Sequence, residues 1–192
     1  LQHAVLSFLD SLSLELDAGV NIWDQLIMTP KAAADSLWNW SLKVYQQDDV
    51  KKLLLTLQNR YQVNVNLIIW SAWAARKGWE YSPDQVEYLS SALQDFDELV
   101  VDRVREIRRD LEVPHDGYSS SDMGKLRREV LDLELKAEKV VQRRLASLAM
   151  EIAPEQRSLE VEDAEEIAVN HFLHLGSSLE IPLRLADSVR SK

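Results

Sequence analysis

Apolar residues recur along most of the chain at intervals of three and four, the spacing of one face of an α-helix. The pattern predicts a first helix over about 35–47, a second over 48–61 and a third over 65–77. The third is apolar on nearly all sides, which is typical of a helix at the centre of a bundle. Asn64 is placed to cap this helix, and Gly78 is placed to end it.

Two longer seams of apolar residues then predict a long antiparallel helical hairpin. Helix four opens with the capping box Ser82-Pro83-Asp84-Gln85. Its seam repeats at nearly every 3.5 residues, as in coiled-coil packing; the members are Val86, Leu89, Leu93, Phe96, Val100, Val104, Ile107 and Leu111. Helix five carries a similar seam of Met123, Leu126, Val130, Leu133, Ala137 and Val140. Pro114 and Gly117 between them predict a loop.

The predicted fold class is therefore all-α, a helical bundle with a long antiparallel helical hairpin. The chain begins with Leu1, whereas Met28-Thr29-Pro30 reads as a natural beginning with a helix cap and a first-turn proline. We expect five regions: an extension of uncertain origin (1–27), a helical core (28–111), a loop (112–121), a long helix packing on the core (122–153), and an acidic C-terminal helix and tail (154–192).

Composition and charge narrow the classes of function. The net charge is −10, and the acidity is concentrated at both ends of the chain. Such a charge disfavours binding to nucleic acid and to anionic membranes. There is no cysteine, which excludes disulfides and thiolate chemistry, and no stretch is long and apolar enough to predict a membrane span. We expect a cytoplasmic protein.

A dense group of aromatic residues is the first candidate for function. Trp38, Trp40 and Tyr45 lie on helix one, and Trp and Tyr are enriched at the energetic centres of protein interfaces. Trp38 and Trp40 are two residues apart and cannot share a helix face. We therefore expect one to point inward and the other outward, where it would anchor a partner. The alternative is ordinary core packing.

A pocket between helices one to three is the second candidate. Its predicted lining combines amides with tryptophans: Gln58, Asn64, Asn66, Trp70 and Trp73. Buried amides require hydrogen-bond partners, and a bound small molecule would supply them. The alternative is that Asn64 is only a helix cap and that the amides bond to one another.

The remaining charged groups predict no catalytic or metal site. Arg105 and its arginine neighbours alternate with acids at helical pairing distances, which favours a solvated, self-paired surface. Glu134 and Glu138 are expected on the surface as well. His171 and His174 lack a Glu at the spacing that bundle metal sites use. No phosphate loop, dinucleotide fingerprint or zinc spacing occurs, so we predict neither cofactor nor metal.

Several motifs together resemble those of a family of small conserved hypothetical proteins from proteobacteria, classed as a domain of unknown function. The residues that carry the resemblance are Leu37-Trp38-Asn39-Trp40-Ser41, Tyr45, 57–61, 63–70, Trp73, 100–101, 104–109 and 134–138. The resemblance covers about 35–175. It departs at Gln62, Asn64 and Arg103, where the family usually has Gly, Asp and Pro, and the missing proline implies that helix four continues unkinked. The resemblance implies a helical fold in the bacterial cytoplasm and no known activity.

Two functional hypotheses follow. The first is a non-catalytic protein-interaction or regulatory module whose partner is another protein or a second copy of the chain. It rests on the aromatic face of helix one, the apolar seams of the hairpin and the lack of catalytic motifs. The second is a small-molecule-binding protein or enzyme that uses the Trp- and Asn-lined pocket.

Overall fold

The computed structural model describes residues 28–61, 63–152, 154–156 and 161–178, and it confirms the all-α class. The predicted extension 1–27 and most of the tail lie outside the described residues. The elements are α1 (Pro30–Tyr45), α2 (Asp48–Tyr61), α3 (Val65–Arg76), β1 (Trp79–Glu80), α4 (Pro83–Phe96), a π-helical turn (Asp97–Val101), α5 (Asp102–Asp110), α6 (Ser120–Glu151), β2 (Glu155–Gln156) and α7 (Val161–Ser178).

Local sequence signals place the helix ends. The Thr29 hydroxyl accepts a hydrogen bond from the Ala32 amide at 3.2 Å, so α1 begins at Pro30, five residues before the predicted start. The Asn64 side chain caps α3 by accepting from the Asn66 amide at 2.9 Å. Gly78 ends α3 in the left-handed region, with φ of 69°. The predicted caps of α3 and α4 are both present.

The α3 helix is the centre of the bundle, as its apolar sequence predicts. Every residue from Val65 to Ala75 is buried. The helix packs against α1, α6 and α7, and its flanks are closed by aromatic rings. Trp70 contacts Tyr81 and His171, with ring centroids 5.0 and 5.5 Å away. A helix buried on all sides in this way holds the surrounding elements in a fixed arrangement.

Tyr81 and His171 join three parts of the chain. The Tyr81 amide donates to Nε2 of His171 at 2.9 Å, and the Tyr81 hydroxyl donates to the Ala149 carbonyl at 3.1 Å. Nearby, β1 pairs with β2 in antiparallel register, with Trp79 opposite Gln156. The α3–α4 turn is thereby tied to α7 and to the end of α6. His171 is fully buried, although it lies in the predicted acidic C-terminal helix.

The first half of the hairpin differs from its prediction at a π-helical turn. The chain remains helical from Pro83 to Asp110, but it contains the π-helical turn at Asp97–Val101. This turn shifts the inward face, because a π turn holds more residues than an α turn. Val101 is buried instead of the predicted Val100, and Phe96 and Ile107 of the predicted seam are 39% and 51% exposed.

His171 makes the fold sensitive to acid. Burial lowers the pKa of His171 to about 4 from 6.5. Between these values the unfolded chain binds a proton that the folded chain does not. The contribution of the buried, neutral His171 to the unfolding free energy is therefore fully present above pH 6.5 and is lost as pH falls toward 4. We expect His171 to contribute a loss of about 3 kcal/mol in unfolding free energy over this interval, and His171→Gln to flatten that part of the profile. Urea denaturation at a series of pH values measures it.

The matched control is His115→Gln, since His115 lies exposed in the hairpin loop. This variant should follow the pH profile of the parent protein. If His171→Gln and His115→Gln give the same pH dependence, the assignment of the acid sensitivity to His171 is contradicted.

Candidate functional site

A polar groove lies beside the π-helical turn, between the end of α2, the start of α3, and α4. Its volume is about 300 Å³, and its lining includes Gln58, Asn64, Ser91, Gln94, Asp97 and Arg105. The groove exists because the Asn64 cap brings the start of α3 against the π turn, and the Nδ2 group of Asn64 donates to Oδ2 of Asp97. Volumes of this size are at the lower end of small-molecule sites.

Asp97 is the most perturbed carboxyl group in the groove. Burial raises its pKa to about 6, and nearby Asp102 and Glu138 add to the rise, while Arg105 and the hydrogen bond from Asn64 oppose it. π turns occur frequently at functional sites. Here the turn places a carboxyl group that changes charge near neutral pH inside a groove.

Arg105 connects the groove to the hairpin. Its guanidinium is 3.0 Å from Asp102, 3.4 Å from Glu134 and 2.5 Å from Glu138. On the groove side, the Gln58 amide oxygen accepts from Nη2 of Arg105 at 2.8 Å in the orientation that satisfies both groups. The Arg105 side chain is only 14% exposed. It is therefore held in one position by partners on three helices.

Glu134 and Glu138 lie at the α5–α6 contact, not on the surface as predicted. Glu134 is 6% exposed and pairs with Arg108 as well as with Arg105. Burial raises the pKa of Glu138, opposed by the adjacent Arg105. The signal that sequence reasoning missed is matched spacing. Two arginines three apart on one helix face two glutamates four apart on the next, which predicts pairing between helices as well as within one.

The residues of the predicted pocket are divided between two places. Gln58 and Asn64 line the groove, whereas Asn66, Trp70 and Trp73 are packed in the core. Asn66 accepts from the Gln142 amide at 3.0 Å, and Trp73 donates to the Ser36 hydroxyl at 3.2 Å. The tryptophans do not wall the groove, because α3 turns them toward α1 and toward the Tyr81–His171 cluster.

The predicted partner-binding residues are half-buried. Trp38 and Trp40 lie on opposite flanks of the buried face of α1, so neither points fully inward or outward. Lys139 lies 5.2 Å from the centre of the Trp38 ring, and Arg76 lies 5.6 Å from that of Trp40. Tyr45 is packed beside Glu138, and burial raises its pKa. The structure therefore presents covered ring faces at this surface, where a partner would meet the cations first.

An apolar stripe remains exposed on α6. Leu126, Leu133 and Val140, here called the α6 stripe, are 46%, 53% and 47% exposed. Because they are seven residues apart, they lie along one line of the helix. They belong to the seam that was predicted to pack inside the hairpin. The hairpin contact instead uses the neighbouring face of α6, which carries Glu134 and Glu138.

The described residues contain neither a metal-binding cluster nor a helix that could span a bilayer. Within residues 28–61, 63–152, 154–156 and 161–178, no group of three His, Cys, Asp or Glu side chains is placed to hold a metal ion. In the same ranges, the helices fall short of the length and apolar character that crossing a bilayer requires.

Comparison with known proteins identifies the family. A family described as "Protein of unknown function (DUF2390)" matches residues 36–145, which is more than half of the chain. The chain therefore belongs to this family. The match includes α6 as far as Leu145 and all of the groove except Leu175. No curated protein and no solved structure matches the chain.

The half-buried carboxyl group of Asp97 predicts a stabilising substitution. At pH 7.5 the folded protein holds Asp97 ionised against its raised pKa, which costs stability. Asp97→Asn removes this cost and can still accept from Asn64. We expect the unfolding free energy to rise by about 1 kcal/mol at pH 7.5, after allowance for solvent screening. Urea denaturation measures it.

The sign of this effect depends on pH. Because the folded pKa is raised from 3.8 to about 6, the cost is present above pH 6 and disappears as pH falls toward 4. The advantage of Asp97→Asn should disappear with it. Asp95→Asn, an exposed change on the same helix, is the control and should be neutral at both pH values. A variant that is less stable than the parent at pH 7.5 would contradict the assignment.

Proposed function

We propose that this member of the DUF2390 family is a non-catalytic protein-interaction or regulatory module of the bacterial cytoplasm. The proposal rests on the α6 stripe. Exposed apolar side chains are common singly, but a line of them along one helix is typical of a surface that another helix covers. The stripe follows the heptad spacing that pairs helices in coiled coils and bundles.

The shape of the hairpin supports this proposal. Arg108 contacts Glu134, and Arg127 pairs with Glu112, so α5 and α6 run antiparallel along their length. Ile107 precedes Arg108 by one residue, as Leu133 precedes Glu134. One step back along a helix rotates the side chain by about 100°. Because α5 and α6 run in opposite directions, this step turns Ile107 and Leu133 toward the same side of the hairpin. Ile107 is 51% exposed, so the apolar surface extends over both helices.

Trp38, Trp40 and Tyr45 are a weaker basis for the same function. Their rings are half-buried, and cations cover both tryptophans. Contact with a partner there would first displace Lys139 or Arg76. The α6 stripe needs no such displacement, and we therefore assign the interaction to the hairpin.

Replacement of Leu133 tests the assignment. Leu133→Lys places a charge in the middle of the α6 stripe, where a docked partner would have to desolvate it. The matched control is Leu135→Lys, because Leu135 is 43% exposed on the same helix but lies off the stripe. We expect the parent and Leu135→Lys to bind a partner, either another copy or another protein, and Leu133→Lys to bind it at least about tenfold more weakly.

Two measurements cover both kinds of partner. Sedimentation detects self-association, and affinity capture from a bacterial lysate detects other proteins. Circular dichroism checks that each variant is folded. The proposal is contradicted if the parent neither self-associates nor retains a protein, or if Leu133→Lys and Leu135→Lys are equally affected.

The groove supports a second candidate function, the binding of a small polar molecule. The observation that favours it is the joint exposure of Asp97, Gln58 and Arg105 to one cavity of about 300 Å³. A ligand that donates a hydrogen bond to Asp97 and accepts one from Arg105 would satisfy both ends. Most of the residues that line the groove are polar, whereas small-molecule sites are lined mainly by apolar side chains, and this candidate is therefore placed second.

Filling the groove tests this candidate. Ser91 lines the groove and is exposed, so Ser91→Trp should block it without disturbing the core. If the groove binds a ligand, thermal-shift screening of polar metabolites against the parent protein should find a compound that raises its melting temperature. The shift should be absent for Ser91→Trp and retained for Ser121→Trp, an exposed control at the start of α6. A compound that stabilises all three proteins equally does not bind in the groove.

A further inference from the structure

We propose that the α6 stripe binds the same stripe of a second copy of this chain, with the two α6 helices antiparallel. This inference rests on the proposed function and names the partner. Three observations carry it: the exposed heptad line of apolar side chains, the occupied flank beside α5, and the order of charges along the other flank.

The apolar positions form complementary layers in this arrangement. The row beside the stripe consists of Met123, Val130 and Ala137, which are half-buried or buried. In an antiparallel helix pair, members of one row meet members of the other. Met123 faces Val140 of the second copy, Val130 faces Leu133, and Ala137 faces Leu126. Each layer combines a side chain of the stripe with one of the neighbouring row.

The flank of α6 that faces the hairpin partner is already in use. Glu134 is engaged with Arg105 and Arg108 there, and Arg127 is engaged with Glu112. Because α5 covers this flank, the charged residues of a second copy can meet only those on the other side of the stripe. The charges on that other side therefore decide which partner fits.

The outer flank is acidic in its first half and basic in its second half. Asp122, Glu129, Lys136 and Arg143 occur at intervals of seven residues, and all four are exposed. In the antiparallel register set by the apolar layers, Glu129 meets Lys136 of the second copy and Asp122 meets Arg143. The two-fold axis repeats each contact, so the pair contains four opposite-charge contacts. Asp122 exchanges its exposed contact with Lys125 for this one.

A parallel pair lacks this match. In a parallel coiled coil, a residue on this flank of one helix meets a residue on the other flank of the second helix, at a position five residues further along the sequence. Glu129 would meet Glu134, which is buried with its arginines and carries the same charge. Asp122 would meet Arg127, but Arg127 is already paired with Glu112. The order of charges therefore favours the antiparallel arrangement, in which all four flank residues meet an opposite charge.

Charge reversal tests both the partner and its orientation. In a homodimer, Glu129→Lys sets two lysines against each other at both of the contacts that this position makes, and Lys136→Glu sets two glutamates against each other there. Each single variant should therefore dimerise roughly tenfold more weakly than the parent chain. An equimolar mixture of the two variants should recover the parent affinity. At both contacts across the heterodimer, a lysine of one chain then meets a glutamate of the other.

The control is Asp95→Lys, which makes the same change of net charge at an exposed position outside α6. Any effect of net charge alone appears in this variant too, and we expect it to dimerise like the parent. The measurement is sedimentation of the full chain over a concentration series, at low and at high salt. The difference between Glu129→Lys and the control should shrink at high salt.

The outcomes separate this inference from the proposed function. A monomeric parent chain at the highest concentrations overturns self-pairing; if lysate capture then yields a protein that depends on Leu133, the interaction function still stands. A dimer in which the mixture is no stronger than the single variants overturns the antiparallel register, and the function again stands. Loss of both self-association and capture overturns both.

Discussion

The rest of the structure depends on the need to bury α3 on every side. From Val65 to Ala75 the helix has no polar face to turn toward water, and it must therefore be surrounded. The helices α1, α6 and α7 surround it, and the Tyr81–His171 hydrogen bond closes the remaining side within the core. Most of the polar side chains that α3 brings inside are satisfied: Ser71 donates to the Leu67 carbonyl, Asn66 accepts from Gln142, and Trp73 donates to Ser36. The buried indole N–H of Trp70 lacks a hydrogen-bond partner among the described residues.

Within the described part of the chain, this arrangement leaves the outer part of the hairpin with few neighbours. The second half of α6 packs on the core through Val141, Leu145 and Leu148, whereas its first half extends beyond α3. Among the described residues, this half of the helix contacts α5 through a cluster of ion pairs. Charged groups with low exposure, such as Glu134 and Arg105, depend on each other's presence and so hold α5 and α6 in one register. The apolar residues on the adjacent face remain exposed as a result.

The sequence predicted the parts of the fold that are determined locally. The caps at Thr29, Asn64 and Ser82 and the stop at Gly78 follow from single residues and their neighbours, and the burial of α3 follows from composition. The π turn was not predictable, because Asp97–Val101 reads as ordinary helix and only packing decides which valine turns inward. The groove required two distant segments, Asn64 and Asp97, to meet. Trp38 and Trp40 are both half-buried, not one inward and one outward as expected, because two residues at an interval of two can each lie at an edge of a buried helix face.

The energetics of the α6 stripe show why charge matters on an apolar surface. Each of its three side chains is about half exposed, so covering one recovers about 1 kcal/mol, and a symmetric pair recovers about 6 kcal/mol. Association itself costs roughly 4 to 15 kcal/mol. The apolar gain and the cost are therefore of similar size, and the partly exposed Ile107, Met123 and Val130 add only a modest surplus. When the large terms nearly cancel, contributions of a few tenths of a kcal/mol from each ion pair decide the outcome. The order of Asp122, Glu129, Lys136 and Arg143 then determines which helix can bind, although the stripe supplies most of the energy.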